Sequence, residues 1–318
     1  MSASDSSSAH RWVSPTWSTE LKIDAQLYPF TPKSMMIQGH RVSYLDEGNP
    51  QAIPTVMVHG NPTWSFYYRH VVEAIVKAGG RALVLDHVGC GFSDKPSEQT
   101  YEYTLRQRVS DLTEWMRQLG LSDQPFHMIV HDWGGMIGCA YATQHAEYLQ
   151  KLVVLNTAAF HIPGDKKLPF TLWLGRNTWL GQFLIQGLNA FSGMATRWAC
   201  SKPLSKAVRQ AYCAPYNNWS NRIATHRFVK DIPLHPQDKA YDVVSETQAG
   251  LSRLKEQNIM IAWGLKDFVF DESFLRVWQA RFPQAQYHIF ADAGHYVLED
   301  QKENLVPLIS QFIMADAS

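Results

Sequence analysis

The stretch Phe126–Gly135, FHMIVHDWGG, limits most strongly what this chain can fold into. Its apolar first half fits a short buried strand, and Met136–Gln144 fits the opening of a helix. A strand, a sharp turn and a helix in this order are typical of a nucleophile elbow, which lifts one side chain above the end of a parallel sheet. Here the apex is Asp132, whose carboxylate can attack a saturated carbon and form an alkyl ester. Taken alone, Asp132 could equally be a helix cap.

Short apolar runs with strand character alternate with amphipathic segments on both sides of this elbow. The alternation predicts an α/β fold in which a mostly parallel sheet is covered by helices on both faces. We expect strands at Met35–Gln38, Arg41–Asp46, Thr55–His59, Arg81–Asp86, Lys151–Asn156, Ile259–Gly264 and Gln286–Phe290. We expect helices at Phe66–Lys77, Tyr103–Gln118, Glu272–Arg281 and Lys302–Met314.

The alternation stops after Phe160. Residues 161–250 hold aromatic- and Gln-rich pieces with helical patterning at Leu180–Phe191, Lys206–Tyr212 and Tyr216–Val229, and no convincing strand. We therefore predict a helical cap at 161–250, inserted between the two parts of a sheet domain at 28–160 and 251–318. Residues 1–27 are expected to be a flexible lead, because their Ser-rich start lacks the apolar segment of a signal peptide.

The overall charge restricts the partners that this chain can have. Its 318 residues contain 29 Lys and Arg and 29 Asp and Glu. This balance gives no support for a nucleic-acid partner or for electrostatic attachment to a membrane. The most apolar stretch, Leu168–Ala190, is interrupted by polar residues such as Arg176, so no transmembrane segment is expected.

Cysteine and motif patterns give no sign of a metal or a cofactor. The four cysteines form no CxxC pair, which indicates reduced thiols and a cytoplasmic protein. No cluster of His, Cys and Asp has the spacing of metal ligands, and no GxGxxG or phosphate-binding loop is present. We expect neither a metal nor a cofactor.

Two further polar residues follow predicted strands. Asp267 comes three residues after Ile259–Gly264. His295 ends the segment DAGH, shortly after Gln286–Phe290. Loops at the carboxyl ends of parallel strands carry the site in open sheets. Each residue alone could be a turn or structural residue, but with Asp132 they follow the order nucleophile, acid and base, which favours a catalytic triad.

Several segments together resemble a known family. They are His59–Arg69 (HGNPTWSFYYR), Gly89–Pro96 (GCGFSDKP), HDWGG and Asp292–His295 (DAGH). From about Tyr28 to Phe312 the chain resembles a haloalkane dehalogenase-type α/β-hydrolase. The placement of Asp267, with Asn61 after HG, is similar to a subgroup that also contains β-lactone decarboxylases of bacterial olefin synthesis. The resemblance implies the α/β-hydrolase fold with an inserted cap.

The resemblance also implies roles for individual residues. Asp132 would form an ester with the substrate, and His295 would activate water to hydrolyse it. Asp267 would hold the imidazole of His295 in the correct tautomer. The side chains of Asn61 and Trp133 would bind a departing halide, and their backbone N–H groups would form the oxyanion hole.

Aromatic residues at the start of the predicted cap are candidates to line a substrate cavity. These are Phe160, Phe170 and Trp173, although aromatic residues of a cap also serve simply as packing. A cavity of this kind would take a small apolar halogenated or lactone substrate.

The activity that we expect first from the sequence is hydrolytic dehalogenation, in which a haloalkane and water give an alcohol, a halide ion and a proton. The close alternative is β-lactone decarboxylation to an olefin and carbon dioxide, starting from the same Asp132. An epoxide hydrolase is less favoured, because that family resembles HG-aromatic-Pro where this chain has HGNP. A non-enzymatic ligand receptor would not need a complete triad.

Overall fold

The computed structural model describes residues 23–164 and 166–315. Its strands form one sheet with the spatial order β1-β2-β4-β3-β5-β6-β7-β8. The pairs β1–β2 and β2–β4 are antiparallel, and every other neighbouring pair is parallel. The strands are β1 (Lys33–Ile37), β2 (His40–Gly48), β3 (Pro54–Val58), β4 (Arg81–Leu85), β5 (Phe126–Asp132), β6 (Leu149–Thr157), β7 (Asn258–Gly264) and β8 (Gln286–Phe290).

The central strands are buried on both faces, which explains their continuous apolar runs. Along β3, Val56 and Val58 pack into one apolar cluster while Met57 between them packs into another. Along β5, Met128 joins the first cluster and Ile129 the second. Since successive strand side chains point to opposite faces, these clusters are the two cores between the sheet and its helices. The predicted α/β fold, a mostly parallel sheet with helices on both faces, is confirmed.

The helices follow the strands in the expected alternation. They are α1 (Arg69–Lys77), α2 (Leu105–Gln118), α3 (Trp133–Gln144), α4 (Phe170–Asn177), α5 (Trp179–Gln182), α6 (Ala190–Trp198), α7 (Lys206–Cys213), α8 (Ile223–Lys230), α9 (Tyr241–Gly250), α10 (Glu272–Arg281), α11 (Val297–Asp300) and α12 (Lys302–Met314). The bounds of α10, β8 and α12 match the prediction, because a clear turn or cap flanks each of them. Asp271, for example, caps α10 by accepting a hydrogen bond from the backbone N–H of Ser273 at 3.0 Å.

Helices α4 to α8 connect β6 to the second part of the chain, and the described residues from 161 to 240 contain no strand. Two helix predictions were too long here. The predicted helix Leu180–Phe191 is interrupted at Asn189, which has a left-handed φ of 51°. The predicted helix Tyr216–Val229 becomes short 3₁₀ turns followed by α8. Apolar spacing alone did not reveal these breaks, because the apolar residues continue through them.

Helix α9, which lies at the end of the predicted cap, packs against the sheet domain. It packs on α3, the helix that follows the elbow. We use the name cap below for residues 161–240, which contain helices α4 to α8. Of the predicted flexible lead, 1–27, residues 1–22 lie outside the described residues.

Two other features bear on predictions from the sequence. Within the described part of the chain, no helix is both long enough and apolar enough to cross a membrane. All four cysteines are free thiols, and Cys90 and Cys139 are buried.

Candidate active site

The elbow places Asp132 at the end of β5, directly before α3. Asp132 has φ 52° and ψ −129°, a strained backbone that a non-glycine residue rarely adopts. The tight approach of neighbouring chain segments maintains it. A Cβ at Gly134 would collide with the carbonyl oxygen of Val58, and one at Gly60 with the carboxylate of Asp132. Only glycine fits at these two positions, which gives a steric reason for the glycine of HG and for the first glycine of HDWGG.

The three residues predicted as a triad meet at the carboxyl end of the sheet. His295 Nδ1 lies 2.7 Å from Asp267 Oδ2, and His295 Nε2 lies 3.4 Å from Asp132 Oδ2. All three side chains are nearly inaccessible to solvent. The imidazole thus lies between two carboxylates, with the shorter contact to the residue expected to orient it.

Hydrogen bonds hold the acid of this triad in place. Asp267 Oδ1 accepts from the backbone N–H of Val269 at 2.7 Å and of Phe270 at 3.1 Å. Its Oδ2 accepts from Asn156 Nδ2 at 3.1 Å. Asn156 also accepts from the backbone N–H of Gly264 at 2.8 Å, which joins β6 to β7 beside the site. The sequence analysis missed Asn156, although a polar residue ending the apolar run KLVVLN was a usable signal.

The charges of the triad favour an ion pair in the free protein. Burial alone would lower the pKa of His295, but the charge of Asp267 and hydrogen bonds to Asp132 and Asp267 outweigh it and raise the pKa to about 10. Burial alone would raise the pKa of Asp132, yet the hydrogen bond and charge of His295 leave it below its ordinary value. At neutral pH, Asp132 is therefore a carboxylate beside an imidazolium.

Asn61 and Trp133, the two predicted halide donors, both line the cavity that contains the Asp132 carboxylate. The backbone N–H of Asn61 donates to Asp132 Oδ1 at 2.6 Å. The side-chain Nδ2 of Asn61 donates to the carbonyl oxygen of Thr225 in the cap at 3.0 Å, and its Oδ1 is buried with no partner. Trp133 lines the same cavity, with its ring centroid 5.4 Å from that of Phe228. Their roles as halide donors and oxyanion hole stay predictions.

Asp132 and His295 line this cavity, which has a volume of about 390 Å³ and lies between the sheet and the cap. Its walls are mainly aliphatic and aromatic side chains, among them Leu172, Leu174 and Ile185. The polar side chains that face it include those of Asn61, Asp132, His295, Lys166 and Thr171. The shape and lining fit an apolar ligand that is oriented by a few polar groups at the elbow.

One of the three predicted cavity residues lines this cavity, and two do not. Phe160 is buried and forms part of the wall. The prediction was wrong for Phe170 and Trp173, which are 71% and 46% exposed and stack on each other at a centroid distance of 5.9 Å. Both lie on the outer side of α4, whose inner side supplies Leu172 and Gly175 to the wall. Residue type does not reveal which side of a helix faces the cavity.

A second group that the sequence did not reveal links the cap to the loop of His295. Asp300 accepts hydrogen bonds from the backbone N–H groups of Gly294 at 2.7 Å, Ser201 at 2.8 Å and Lys202 at 3.0 Å. The backbone N–H of Tyr296 donates to the carbonyl oxygen of Ala199 at 2.8 Å. The cap segment after α6 is thereby fastened to the residues on both sides of His295.

Comparison with known proteins agrees with this fold. A family model described as the alpha/beta hydrolase fold matches residues 54–302. The chain therefore belongs to the α/β-hydrolase fold family. It is 47% identical to a cis-3-alkyl-4-alkyloxetan-2-one decarboxylase of Shewanella oneidensis, over 90% of this chain and 89% of that protein.

More distant relatives are dehalogenases. The chain is 29% identical to a haloalkane dehalogenase of Psychrobacter cryohalolentis, over 90% of this chain and 93% of that protein. The solved structure of a haloalkane dehalogenase from Agrobacterium tumefaciens superposes with a TM-score of 0.80 at 20% identity, covering 92% of this chain and 100% of that one. The predicted resemblance to a dehalogenase-type family that includes β-lactone decarboxylases is confirmed.

Proposed function

We propose that this protein decarboxylates cis-3,4-dialkyl β-lactones to olefins and carbon dioxide. The observation that carries the proposal is the 47% identity to a cis-3-alkyl-4-alkyloxetan-2-one decarboxylase over 90% of the chain, against 29% to a haloalkane dehalogenase. This difference reverses the order of preference drawn from the sequence, in which dehalogenation came first. Both reactions begin at the same carboxylate.

In the first step, Asp132 attacks C4 of the lactone ring. Asp132 Oδ1 is held by the N–H of Asn61 at 2.6 Å, while among the described residues Oδ2 makes only the 3.4 Å contact to His295. We take Oδ2 as the nucleophile because it is less tightly held. A bond forms between Oδ2 and C4 as the C4–O bond breaks, and the ring oxygen becomes part of a free carboxylate on C3.

In the second step, that carboxylate leaves as carbon dioxide. The electrons of its bond to C3 form the double bond between C3 and C4, and the C4–Oδ2 bond breaks to return Asp132 as a carboxylate. The imidazolium of His295, 3.4 Å from Oδ2, stabilises the returning negative charge. No water or proton is consumed. Inversion at C4 followed by anti elimination converts a cis lactone into a cis olefin.

The apolar cavity favours this second step. A carboxylate has a localised charge that water stabilises strongly, whereas the charge is dispersed as carbon dioxide departs. A wall of side chains such as Leu172, Ile185 and Phe160 removes that water, so the carboxylate loses stabilisation relative to the transition state. The same wall provides apolar contacts for two alkyl chains.

Haloalkane hydrolysis is the second candidate, supported by the complete triad and by Asn61 and Trp133 beside Asp132. Alkylation of Asp132 would remove one of the two negative charges that raise the pKa of His295. The pKa would then fall, and the neutral imidazole could accept a proton from the water that attacks the ester. This reaction requires water in the cavity, and the proposed decarboxylation does not.

The test gives the purified full-length chain a cis-3,4-dialkyl β-lactone and, separately, 1-bromobutane and 1,2-dibromoethane. Olefin is measured by gas chromatography and halide by ion chromatography, with Asp132→Asn as the isosteric control. We expect cis olefin well above the control and slower halide release. Halide release that depends on Asp132, without olefin, would replace the proposal by dehalogenation. A trans olefin would contradict inversion followed by anti elimination.

A further inference from the structure

The cap carries an unusual outer surface. The large apolar side chains that are exposed in the described residues are concentrated there: eight belong to α4–α8 and their connections, namely Phe170, Trp173, Trp179, Leu180, Phe183, Leu188, Trp198 and Trp219. We call these eight residues the cap patch. Trp179 is 79% exposed and Trp198 62% exposed. Outside the cap, the only exposed Trp or Phe among the described residues is Phe268.

The members of the cap patch lie on elements that touch one another. Helix α4 packs on α5, which leads into the turn Phe183–Gly187, and this turn contacts α6 and the 3₁₀ turn after Trp219. The rings of Phe183 and Trp219 have centroids 6.5 Å apart. Isolated exposed apolar residues are ordinary, but a continuous group of this size marks a binding surface.

The cap patch is continuous with the mouth of the cavity. Trp198 is 62% exposed and also lines the cavity, and so does Phe268, which is 48% exposed. An apolar molecule can therefore pass from the surface to Asp132 along apolar side chains. Whatever covers the cap patch would also cover the way into the site.

Charge is strongly separated between the cap and the rest of the chain. Residues 161–240 contain 11 Lys and Arg but three Asp and Glu, whereas the whole chain is neutral. Several of these cations pair with acids, as Arg227 does with Glu98 and Arg176 with Asp238. The neutrality of the whole sequence concealed this separation.

Cations also stand next to the cap patch itself. Arg222 donates to the carbonyl oxygens of Gln186 at 2.7 Å and Gly187 at 2.9 Å, and Gly187 lies beside the rings of Phe183 and Trp219. Burial raises the pKa of the Cys213 thiol, and the nearby positive charges of Arg197, which directly precedes Trp198, and of Arg222 and Arg209 oppose this rise. Lys202 and Lys206 on the same part of the cap are exposed.

We propose that the cap docks on the surface of a bilayer that contains anionic phospholipids. Trp and Phe prefer the boundary between lipid headgroups and hydrocarbon, and nearby Lys and Arg are attracted to anionic headgroups. The cap patch supplies the first group of contacts and the basic residues the second. Docking in this way places the mouth of the cavity against the hydrocarbon, where an apolar substrate and product dissolve.

The same charges argue against a second copy of this chain as the occupant of the cap patch. A symmetric dimer through the cap would bring two strongly positive segments together, which is unfavourable. The inference rests on the cap surface and not on the reaction, and vesicle binding is measured without substrate. Its failure and the failure of the proposed decarboxylation are therefore distinguishable.

The test is co-sedimentation of the full-length chain with sucrose-loaded vesicles of phosphatidylcholine, with or without 30 mol% phosphatidylglycerol. We expect the partition constant to be at least about tenfold higher with the anionic lipid and to fall in 0.5 M NaCl. No binding to either vesicle, or equal binding to both, would overturn the proposal.

Substitutions of exposed residues test which surface of the protein binds the vesicles. Trp179→Ser with Leu188→Ser should lower partitioning roughly tenfold, and Lys202→Gln with Lys206→Gln roughly twenty-fivefold, at about fivefold for each cation removed. None of these residues lines the cavity. Matched controls on the sheet domain are Met36→Ser with Ile53→Ser, and Lys77→Gln with Lys255→Gln, which should bind like the parent. Thermal melting checks the fold of each.

Two results would contradict the binding of a membrane by the cap patch. Equal losses in the control and cap variants would mean that binding does not use the cap. Self-association seen by light scattering, abolished by the Trp179 and Leu188 pair and accompanied by no vesicle binding, would make a second copy the occupant.

Discussion

The triad and the cap differ in how firmly their surroundings hold them. Asp267 accepts two backbone hydrogen bonds and one from Asn156 besides its contact with His295, and the elbow is fixed by glycines that no other residue could replace. The cap instead exposes Trp179 and its apolar neighbours to solvent and is built of short, interrupted helices. The triad thus occupies positions that are fixed by many contacts, whereas the exposed side chains of the cap can be substituted without disturbing those contacts.

The largest effect is expected from removing the carboxylate of Asp132, the proposed nucleophile. Asp132→Asn should reduce both olefin formation and halide release by roughly 10⁴-fold or more, since no other group can form the ester. Thermal melting should remain cooperative, because Asn has the same shape. Product formation within a few-fold of the parent would remove Asp132 from the mechanism.

Loss of His295 should separate the two reactions. His295→Gln should stop haloalkane turnover after alkylation, so the intact mass should rise by one alkyl group located on the peptide of Asp132. Olefin formation should fall by only about a hundredfold, the typical effect of losing one charge-stabilising donor. If olefin formation falls as far as it does in Asp132→Asn, then His295 acts as more than a donor in decarboxylation.

Trp133→Phe should distinguish leaving groups. The change keeps the ring and removes the N–H donor, which should slow chloride release by about a hundredfold and iodide release much less. Olefin formation should change less than chloride release, because the lactone releases no halide. Equal effects on chloro-, bromo- and iodoalkanes would mean that Trp133 serves only in packing.

Neighbouring residues on α4 test the two sides of the cap. Leu174 lines the cavity, and Trp173 lies on the exposed side. Leu174→Ala should lower kcat/KM for a long-chain lactone roughly tenfold through lost apolar contact. Trp173→Ala should leave this value unchanged in vesicle-free solution. Similar losses in both variants would show that α4 acts through its stability and not through its lining.

The smallest effect concerns pH. The pKa of His295 is raised in the folded state, so its ion pairs stabilise the fold fully below about pH 6.5 and progressively less as the pH rises toward 10. The free energy of unfolding of the parent relative to His295→Gln should therefore be greatest at pH 6 and smaller at pH 9. Urea denaturation measures it, and a difference that grows with pH would contradict the ion pair.

The sheet and the triad could be predicted because each depends on local sequence. Apolar runs predicted the strands, and Asp132 ends one of them while Asp267 and His295 lie in the loops after two others. Asn156 was missed because its partners are far away in the sequence, at Gly264 and Asp267. The orientation of residues in the cap could not be predicted, since Phe170 and Leu172 are both apolar and only packing decides which one faces the cavity.

The charge of the cap shows a similar limit. A neutral total correctly describes the chain but says nothing about where its charges lie, and the excess of Lys and Arg in 161–240 became informative only once those residues formed one surface. The general lesson is that charge needs to be counted over structural units.

The hydrogen bonds of Asp300 have a consequence for how the protein opens. Because one carboxylate binds Gly294 on one side and Ser201 and Lys202 on the other, we expect this edge of the cap to move least when the cap opens. Outward movement of this edge would also move the loop of His295 and break its contacts with Asp132 and Asp267. Opening should therefore occur on the other side of the mouth, near Phe268 and the start of α4, and hydrogen exchange should be faster at backbone amides there than at 199–202. An opening of this kind would leave His295 aligned with Asp132 and Asp267 throughout each turnover.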